Sequence, residues 1–247
     1  MQMTGNTMLI TGGGSGIGRA LAQRFHDLGN EVIITGRRRS ALADTVAGRT
    51  RMHAVALDVG DAGAIRDFAR ELVANHPSLN VLINNAGVMA TEDLSGSRDL
   101  AAAEAAITTN LLGPIRLIDA FVDHLKARAN AAIVTVSSGL AFVPLPKAPT
   151  YSATKAAVHS YTVSLREQLK GAVEVIELIP PAVQTELTPG QSTRAGYMPL
   201  GDFMLEVTEL FQRQPTPAEI RVERVRFLRD AEAEGRFAEA LSALGAL

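Results

Sequence analysis

Tyr151 and Lys155 stand four positions apart in the run Tyr151-Ser152-Ala153-Thr154-Lys155. On a helix, residues i and i+4 share a face, so a phenol and an ammonium would sit together. A free tyrosine titrates near pH 10. A neighbouring ammonium favours the phenolate and lowers that value. A phenol tuned in this way can donate a proton to a carbonyl oxygen, or take one from an alcohol, near neutral pH. Any helix can carry such a pair by chance, so the pair needs company. Ser137-Ser138 closes an apolar run and offers hydroxyls, either to a substrate oxygen or as caps of the next turn. Asn110, ahead of Leu111-Leu112-Gly113-Pro114, reads on its own as a polar residue that interrupts a helix.

A second group of residues suits a phosphate. Thr11-Gly12-Gly13-Gly14-Ser15-Gly16-Ile17-Gly18 lies between an apolar run and a helical pattern. Glycines let the backbone turn sharply and approach a pyrophosphate, and a helix N-terminus adds free N–H groups and a positive dipole end. Gly12, Gly14, Ser15, Gly16, Ile17 and Gly18 are the expected contacts of a dinucleotide. The competing reading is a strand–helix turn without a ligand. The next apolar run ends in Thr35-Gly36-Arg37-Arg38-Arg39-Ser40. An NAD site usually places an acid there to bond the ribose hydroxyls, and here the acid is missing. Three cations at a helix N-terminus oppose its dipole. A 2′-phosphate would offset that opposition, and a guanidinium can grip it with two donors. NADP(H) is therefore the expected cofactor, with Arg37 and Arg38 as contacts. A solvated basic turn or an RNA-contacting patch is the alternative. Asp58, with Val59 beside it, ends the third run and is placed to meet an adenine ring, or else is a helix-cap or loop aspartate.

These residues need a frame. Thr7–Thr11, Glu31–Thr35, Met52–Leu57, Val81–Asn84, Ala132–Val136 and Val173–Ile179 read as strands. Helical patterns fill Gly16–Leu28, Ser40–Val46 and about 61–75, 99–128 and 150–170. Such alternation predicts an α/β fold with a parallel sheet and helices on both faces. Sheets of this kind bind ligands at the carboxyl ends of their strands, where Ser138 falls. Thr188–Gly201 is rich in Gly, Pro, Ser and Thr, and residues 186–204 are expected to form a mobile substrate loop. Pro217–Leu247 reads as a helical tail, with helix over Ala218–Leu244. A single domain over residues 1–247 is expected, because no repeat or linker interrupts the chain.

Composition narrows the function classes. With 47% hydrophobic and 20% charged residues, the chain resembles an ordinary globular enzyme. A net charge of -2 gives no general pull toward nucleic acid or an anionic membrane. The absence of cysteine excludes disulfides, thiolate nucleophiles and cysteine metal sites, and no metal is expected. No apolar run reaches the roughly 18–20 residues of a transmembrane helix. Met1–Asn6 lacks the pattern of a secretory signal, so a cytoplasmic location is expected.

Thr11-Gly12-x-x-x-Gly16-x-Gly18, Asn84-Asn85-Ala86-Gly87, Asn110, Ser138 and Tyr151-x-x-x-Lys155 together resemble the motifs of the short-chain dehydrogenase/reductase family, in its compact branch. The resemblance covers about Thr7 to Thr185. The family's serine stands thirteen positions before its tyrosine, which selects Ser138 over Ser137. The resemblance implies a single-domain Rossmann-type fold, a doubly wound parallel sheet of six or seven strands. It implies that Tyr151 is the general acid/base and that Lys155 bonds the nicotinamide ribose and lowers the tyrosine pKa. It gives Ser138 the substrate oxygen and gives Asn110 a water that links Lys155 to solvent. Asn85 and Gly87 would flank the adenosine side of the cofactor, and Val183 and Thr185 would contact its carboxamide. The two long helices would pair with a second subunit, giving a homodimer or homotetramer. Two features depart from the family. Pro181 stands where glycine is common, and the tail lacks a Val-Asp-Gly-Gly segment and a recognisable seventh strand, which makes six strands an acceptable count.

On the substrate side, Leu140, Tyr197, Leu187, Met198, Met204 and Met89 are apolar candidates that either line a site or pack the core. Lining it, they would favour an uncharged, fairly hydrophobic ketone or secondary alcohol. Arg194 reaches an anionic substrate or sits in water. The expected protein is an NADPH-dependent carbonyl reductase, reversible as an alcohol dehydrogenase, whose partner is a small molecule rather than nucleic acid or membrane. The alternatives are an NAD-linked dehydrogenase of a polar alcohol, a non-catalytic NADP-binding regulator and an RNA-binding protein. The full set of Asn110, Ser138, Tyr151 and Lys155 speaks against the last two.

Overall fold

Strands buried along their whole length must be covered on both faces. β1 (Thr7–Thr11) is one such strand, and β2 (Glu31–Gly36) is buried between its ends. β3 (Met52–Ala56) is exposed for most of its length, as an edge strand is, whereas β4 (Leu79–Asn84), β5 (Ala132–Val136) and β6 (Glu174–Ile179) lie inside. The computed structural model describes residues 1–246. It joins these strands and β7 (Glu219–Arg221) into one parallel sheet in the order β3-β2-β1-β4-β5-β6-β7.

Alternate strand residues point to opposite faces. Met8, Ile10 and Ile34 meet α1 (Gly16–Asp27), through Leu21 and Phe25, on one face. After α2 (Arg39–Val46), the chain places α3 (Ala62–Asn75), α4 (Ala101–Ile107), α5 (Gly113–Lys126) and α6 (Pro149–Gln168). Phe68 of α3, Phe121 of α5 and Leu165 of α6 cover Leu9, Ile33, Leu82 and Ile133 on the other face. α7 (Leu200–Gln212) returns to the first face, where Phe211 meets Phe25 edge-on. The strand order reverses at β1, which pairs β2 on one side and β4 on the other. The crevice at that reversal is where such sheets bind ligands.

Three expectations need correction. The sheet has seven strands, within the six or seven expected, but the helix expected over 218–244 is broken into β7, a 3-10 turn at Glu223–Val225, α8 (Arg226–Arg229) and α9 (Phe237–Gly245). Of the three strand residues only Ile220 is buried, and Glu219 and Arg221 form ion pairs. A run that short carries no readable alternation. Leu247, at the end of the expected tail and domain, lies outside the described residues. The long helix near 99–128 is continuous over Ala101–Lys126, but it contains a π-helical turn at Thr108–Leu112 between α4 and α5. Contrary to expectation, that helix is long and apolar enough to cross a membrane by length and composition. In this fold it lies against α3, β4 and α6. Finally, residues 186–204 are not all loop: Gln191–Thr193 forms a 3-10 turn and α7 starts at Leu200.

Candidate active site

The N-terminus of α6 positions the phenol. Pro149 opens the helix with the φ it already favours. Glu92 then caps it: its carboxylate accepts the Thr150 amide at 2.9 Å and the Thr150 hydroxyl at 2.7 Å, while Arg98 pairs with it at 3.0 Å. Tyr151 follows, buried, with Lys155 one turn further on the same face. Ser138 caps the 3-10 turn at Gly139–Ala141, its hydroxyl accepting the Leu140 amide at 3.1 Å.

Burial pushes the Tyr151 phenol up to about 12, against the pull of its hydrogen bond with Ser138. The ammonium of Lys155 donates to the Val136 carbonyl at 2.8 Å and lies 5.6 Å from the centre of the Tyr151 ring. Burial brings Lys155 down to about 8, with Glu177 pulling the other way. The expected lowering of the phenol by Lys155 is therefore outweighed. Desolvation of the phenolate dominates, and the ammonium is spent on a backbone carbonyl.

Asn110 sits on the π turn, 1% exposed. Its Oδ1 accepts the Val88 amide at 2.8 Å, and its Nδ2 donates to the Val88 carbonyl at 2.8 Å and to Thr154 Oγ1 at 3.2 Å. Asn110 thus stands behind the cleft wall and fixes Val88, which is part of that wall. A Cβ on Gly87 would begin 3.4 Å from Asn110 Oδ1 and 3.7 Å from Lys155 Nζ.

A cleft of about 570 Å³ runs across the carboxyl ends of the central strands. Gly12, Gly14, Ser15, Gly16, Ile17, Gly18, Arg37, Arg38, Asp58, Val59, Asn85, Gly87, Val183 and Thr185 all border it, as do Ser138, Tyr151 and Lys155. The turn after β1 depends on missing side chains. A Cβ on Gly18 would lie 2.3 Å from the Gly12 carbonyl oxygen, and one on Gly13 would lie 2.5 Å from Ile34 Cβ. Ser15 makes no side-chain capping bond to α1, so the first-turn N–H groups stay available to an anion. Arg38 reaches the Ser15 hydroxyl at 3.4 Å, which places a guanidinium beside that same helix end. A bare helix N-terminus, close-packed glycines and two cations fit a phosphorylated dinucleotide. Asp58 borders the cleft and accepts the Gly60 amide at 2.9 Å within its own loop, so it caps no helix; the cap of α3 is Asp61, which accepts the Gly63 and Ala64 amides. Asn85 ties β4 to β1 by donating to the Thr11 carbonyl at 2.9 Å.

Pro180 and Pro181 border the cleft after β6. The segment that follows is held by backbone bonds: Met198 donates to Ala182 at 2.9 Å and Gln184 donates to Met198 at 2.8 Å. Gln191 adds bonds from its amide to the Val183 carbonyl at 2.8 Å and to Thr185 Oγ1 at 3.2 Å. Gln191, Glu186 and Thr109 border the cleft without having been expected there. They are isolated polar residues in a loop or a helix, and only the fold brings them in. Met89 and Leu187 border the cleft, but Leu140 and Tyr197 do not. Leu140 lies in the 3-10 turn at Gly139–Ala141 and is half-buried. Tyr197 is held by Arg194, whose guanidinium lies 5.2 Å from its ring and donates to its hydroxyl at 3.1 Å.

The family description short chain dehydrogenase matches residues 6–195. The chain is 42% identical to an uncharacterized oxidoreductase, DltE, of Bacillus subtilis strain 168, over 94% of this chain and 93% of that protein. It is 37% identical to sulfoacetaldehyde reductase 2 of Chromohalobacter salexigens, over 73% of this chain and 74% of that one. A crystal structure of a short chain dehydrogenase from Burkholderia cenocepacia J2315 in complex with NADP superposes with a TM-score of 0.82 at 25% identity, over 100% of both chains. By this family match and by its identity to DltE, the chain belongs to the short-chain dehydrogenase family of oxidoreductases.

Proposed function

We propose that this oxidoreductase is an NADPH-dependent carbonyl reductase, reversible as an alcohol dehydrogenase, acting on an uncharged, fairly hydrophobic ketone or secondary alcohol. The observation that carries this reading is the meeting of Ser138, Tyr151 and Lys155 in one cleft that also holds Arg37 and Arg38. A bound nicotinamide supplies the hydride. The chain supplies the rest. Ser138 orients the substrate oxygen, and Tyr151 donates a proton to it as negative charge develops. A phenol pushed up to about 12 is fully protonated near neutral pH, which suits the donor role in reduction. In the reverse direction the phenolate needs added positive charge nearby, and Lys155 and an oxidised nicotinamide ring are its sources. Arg37 and Arg38 grip the 2′-phosphate, and Asp58 and Val59 flank the adenine. Met89 and Leu187 give the substrate end its apolar character. Exposed Ile107, Leu112 and Val163 on the long helices support a homodimer or homotetramer.

The test follows NADPH consumption across a panel of ketones and aldehydes, with NADH in parallel and Tyr151→Phe as the blank. A sulfonated aldehyde belongs on that panel because of the reductase from Chromohalobacter. Turnover of apolar ketones with NADPH supports the reading. Activity confined to NADH or to anionic carbonyls overturns the corresponding half.

A further inference from the structure

One carboxylate behind the cleft has no part in the reaction above. Glu177, on β6, is 0% exposed. Sheet register sets it beside Thr135 of β5, whose hydroxyl bonds Thr162 of α6. Its Oε1 accepts the Ser137 hydroxyl at 2.5 Å, and its Oε2 meets His159 Nδ1 at 2.8 Å. Ser137 borders the cleft, while His159 is a quarter exposed. The Ser137 hydroxyl donates to one oxygen and an imidazole nitrogen faces the other; with the proton on His159 Nδ1, both partners suit an ionised carboxylate. A buried ion is costly unless a cation answers it.

The charged groups packed around Glu177 narrow the choice of that cation. From the β7 side, Glu219 is gripped through both oxygens by Arg229 of α8, at 2.7 and 3.0 Å. Arg221 pairs with Asp230 at 3.0 Å and with Glu219 at 3.6 Å. These side chains answer one another, and the grip on Glu219 also removes a ligand that a metal held by His159, Glu177 and Glu219 would need. From α6, His159 touches Glu177 directly and is a quarter exposed to solvent. Lys155 lies one helical turn before His159 on the same face. Its ammonium ends on the Val136 carbonyl, one residue before Ser137, and among the described residues makes no hydrogen bond to a carboxylate. Glu177 pulls Lys155 upward against burial.

We propose that Glu177 is a positioning residue, the fixed counter-charge that keeps Lys155 an ammonium at the cleft floor, with Ser137 and His159 holding the carboxylate in place. Tyr151, Lys155 and His159 form one stripe at four-residue spacing, and Glu177 answers it from the sheet. The use of a charged Lys155 for the cofactor ribose and the phenol rests on the reductase reading. The coupling between Glu177 and Lys155 does not.

The chain has four lysines, Lys126, Lys147, Lys155 and Lys170. NMR of labelled lysine side chains can therefore follow each ammonium through a pH titration, with Lys155→Arg identifying the signal. Glu177→Gln keeps the shape and removes the charge. It should bring the Lys155 midpoint down by about one pH unit or more, and Glu177→Asp, which restores the charge, should return most of that shift. A midpoint unmoved in Glu177→Gln overturns the proposal. Should that variant fail to fold, the carboxyl carbon signal of Glu177 in the unaltered protein decides: ionised at neutral pH supports the proposal, protonated overturns it. Neither measurement needs turnover. A protein that reduces no carbonyl yet shows the shift loses the reductase reading and keeps this one.

Discussion

Asn110 and Val88 exchange two hydrogen bonds of 2.8 Å, so a side-chain amide pairs with the loop after β4 as one strand pairs with another. Asn110 is the buried residue of the π turn at Thr108–Leu112. Asn110→Leu would leave an amide and a carbonyl of Val88 without partners. An unsatisfied buried group costs about 1–3 kcal/mol, so urea unfolding should show a loss of about 2 kcal/mol or more. Turnover should fall too, because Val88 borders the cleft. Asn110→Asp keeps the acceptor and should recover part of both. An unfolding midpoint equal to that of the native chain in Asn110→Leu would remove this role.

Glu92 should matter although it lies outside the cleft. Its two bonds to Thr150 fix the helix end that carries Tyr151. Loss of a helix cap costs about 0.5–2 kcal/mol. Glu92→Ala should show that loss in thermal or urea unfolding, together with reduced turnover. Glu92→Gln retains one acceptor and should fall between.

NADPH should bind more tightly than NADH by about tenfold or more, since a charged hydrogen bond contributes roughly 1.5–3 kcal/mol. Arg37 and Arg38 border the cleft and the segment contains no acid. Arg37→Asp should erase or reverse the preference in fluorescence titrations. Equal affinities in the native protein would contradict the assignment.

Tyr151→Phe keeps the ring and deletes the hydroxyl. Turnover should drop by about 10²–10⁴, with NADPH affinity nearly unchanged, whereas Lys155→Ala should weaken both. Near-native turnover in Tyr151→Phe would make the tyrosine structural. The raised phenol also has a signature in stability. The unfolded chain releases this proton near pH 10, and the folded chain holds it up to about 12. The contribution is thus fully present below about pH 10 and is lost as pH rises through about 12. Tyr151→Phe should show a shallower alkaline loss of stability than the native chain. Tyrosinate absorbance should place the native midpoint lower once NADP⁺ is added.

Light scattering at micromolar concentration should give the mass of a dimer or tetramer. Leu112 and Val163 are exposed on the long helices, so Leu112→Glu combined with Val163→Glu should reduce that mass. A monomeric native protein would refute the assembly.

The strand–helix alternation was legible because most strands are β-branched runs bounded by turns, and Thr7–Thr11 and Ala132–Val136 match to the residue. The cleft was legible for a related reason: its glycines, Ser138 and Tyr151 occur at fixed offsets along the chain. What escaped was set by tertiary packing. β7 is three residues long and owes its place to pairing with β6. The π turn has no composition of its own. The phenol's direction of shift reversed because spacing reveals a neighbour but not how dry the pair becomes. Glu177 alternates with Ile176 and Leu178 in a strand, and nothing in that run announces that its side chain meets a hydroxyl from β5's end and an imidazole from α6.

Two adjacent prolines at the cleft wall have a consequence for affinity. Pro180 and Pro181 have few backbone conformations to lose, so that part of the unfolded chain is already restricted. The bridge between Val183 and Met198 restrains the residues after them. A ligand arriving at this wall meets a surface that was ordered during folding. The entropy of arranging it is charged to the fold and not to the complex, and binding there should show a small heat-capacity change and fast, nearly rigid association.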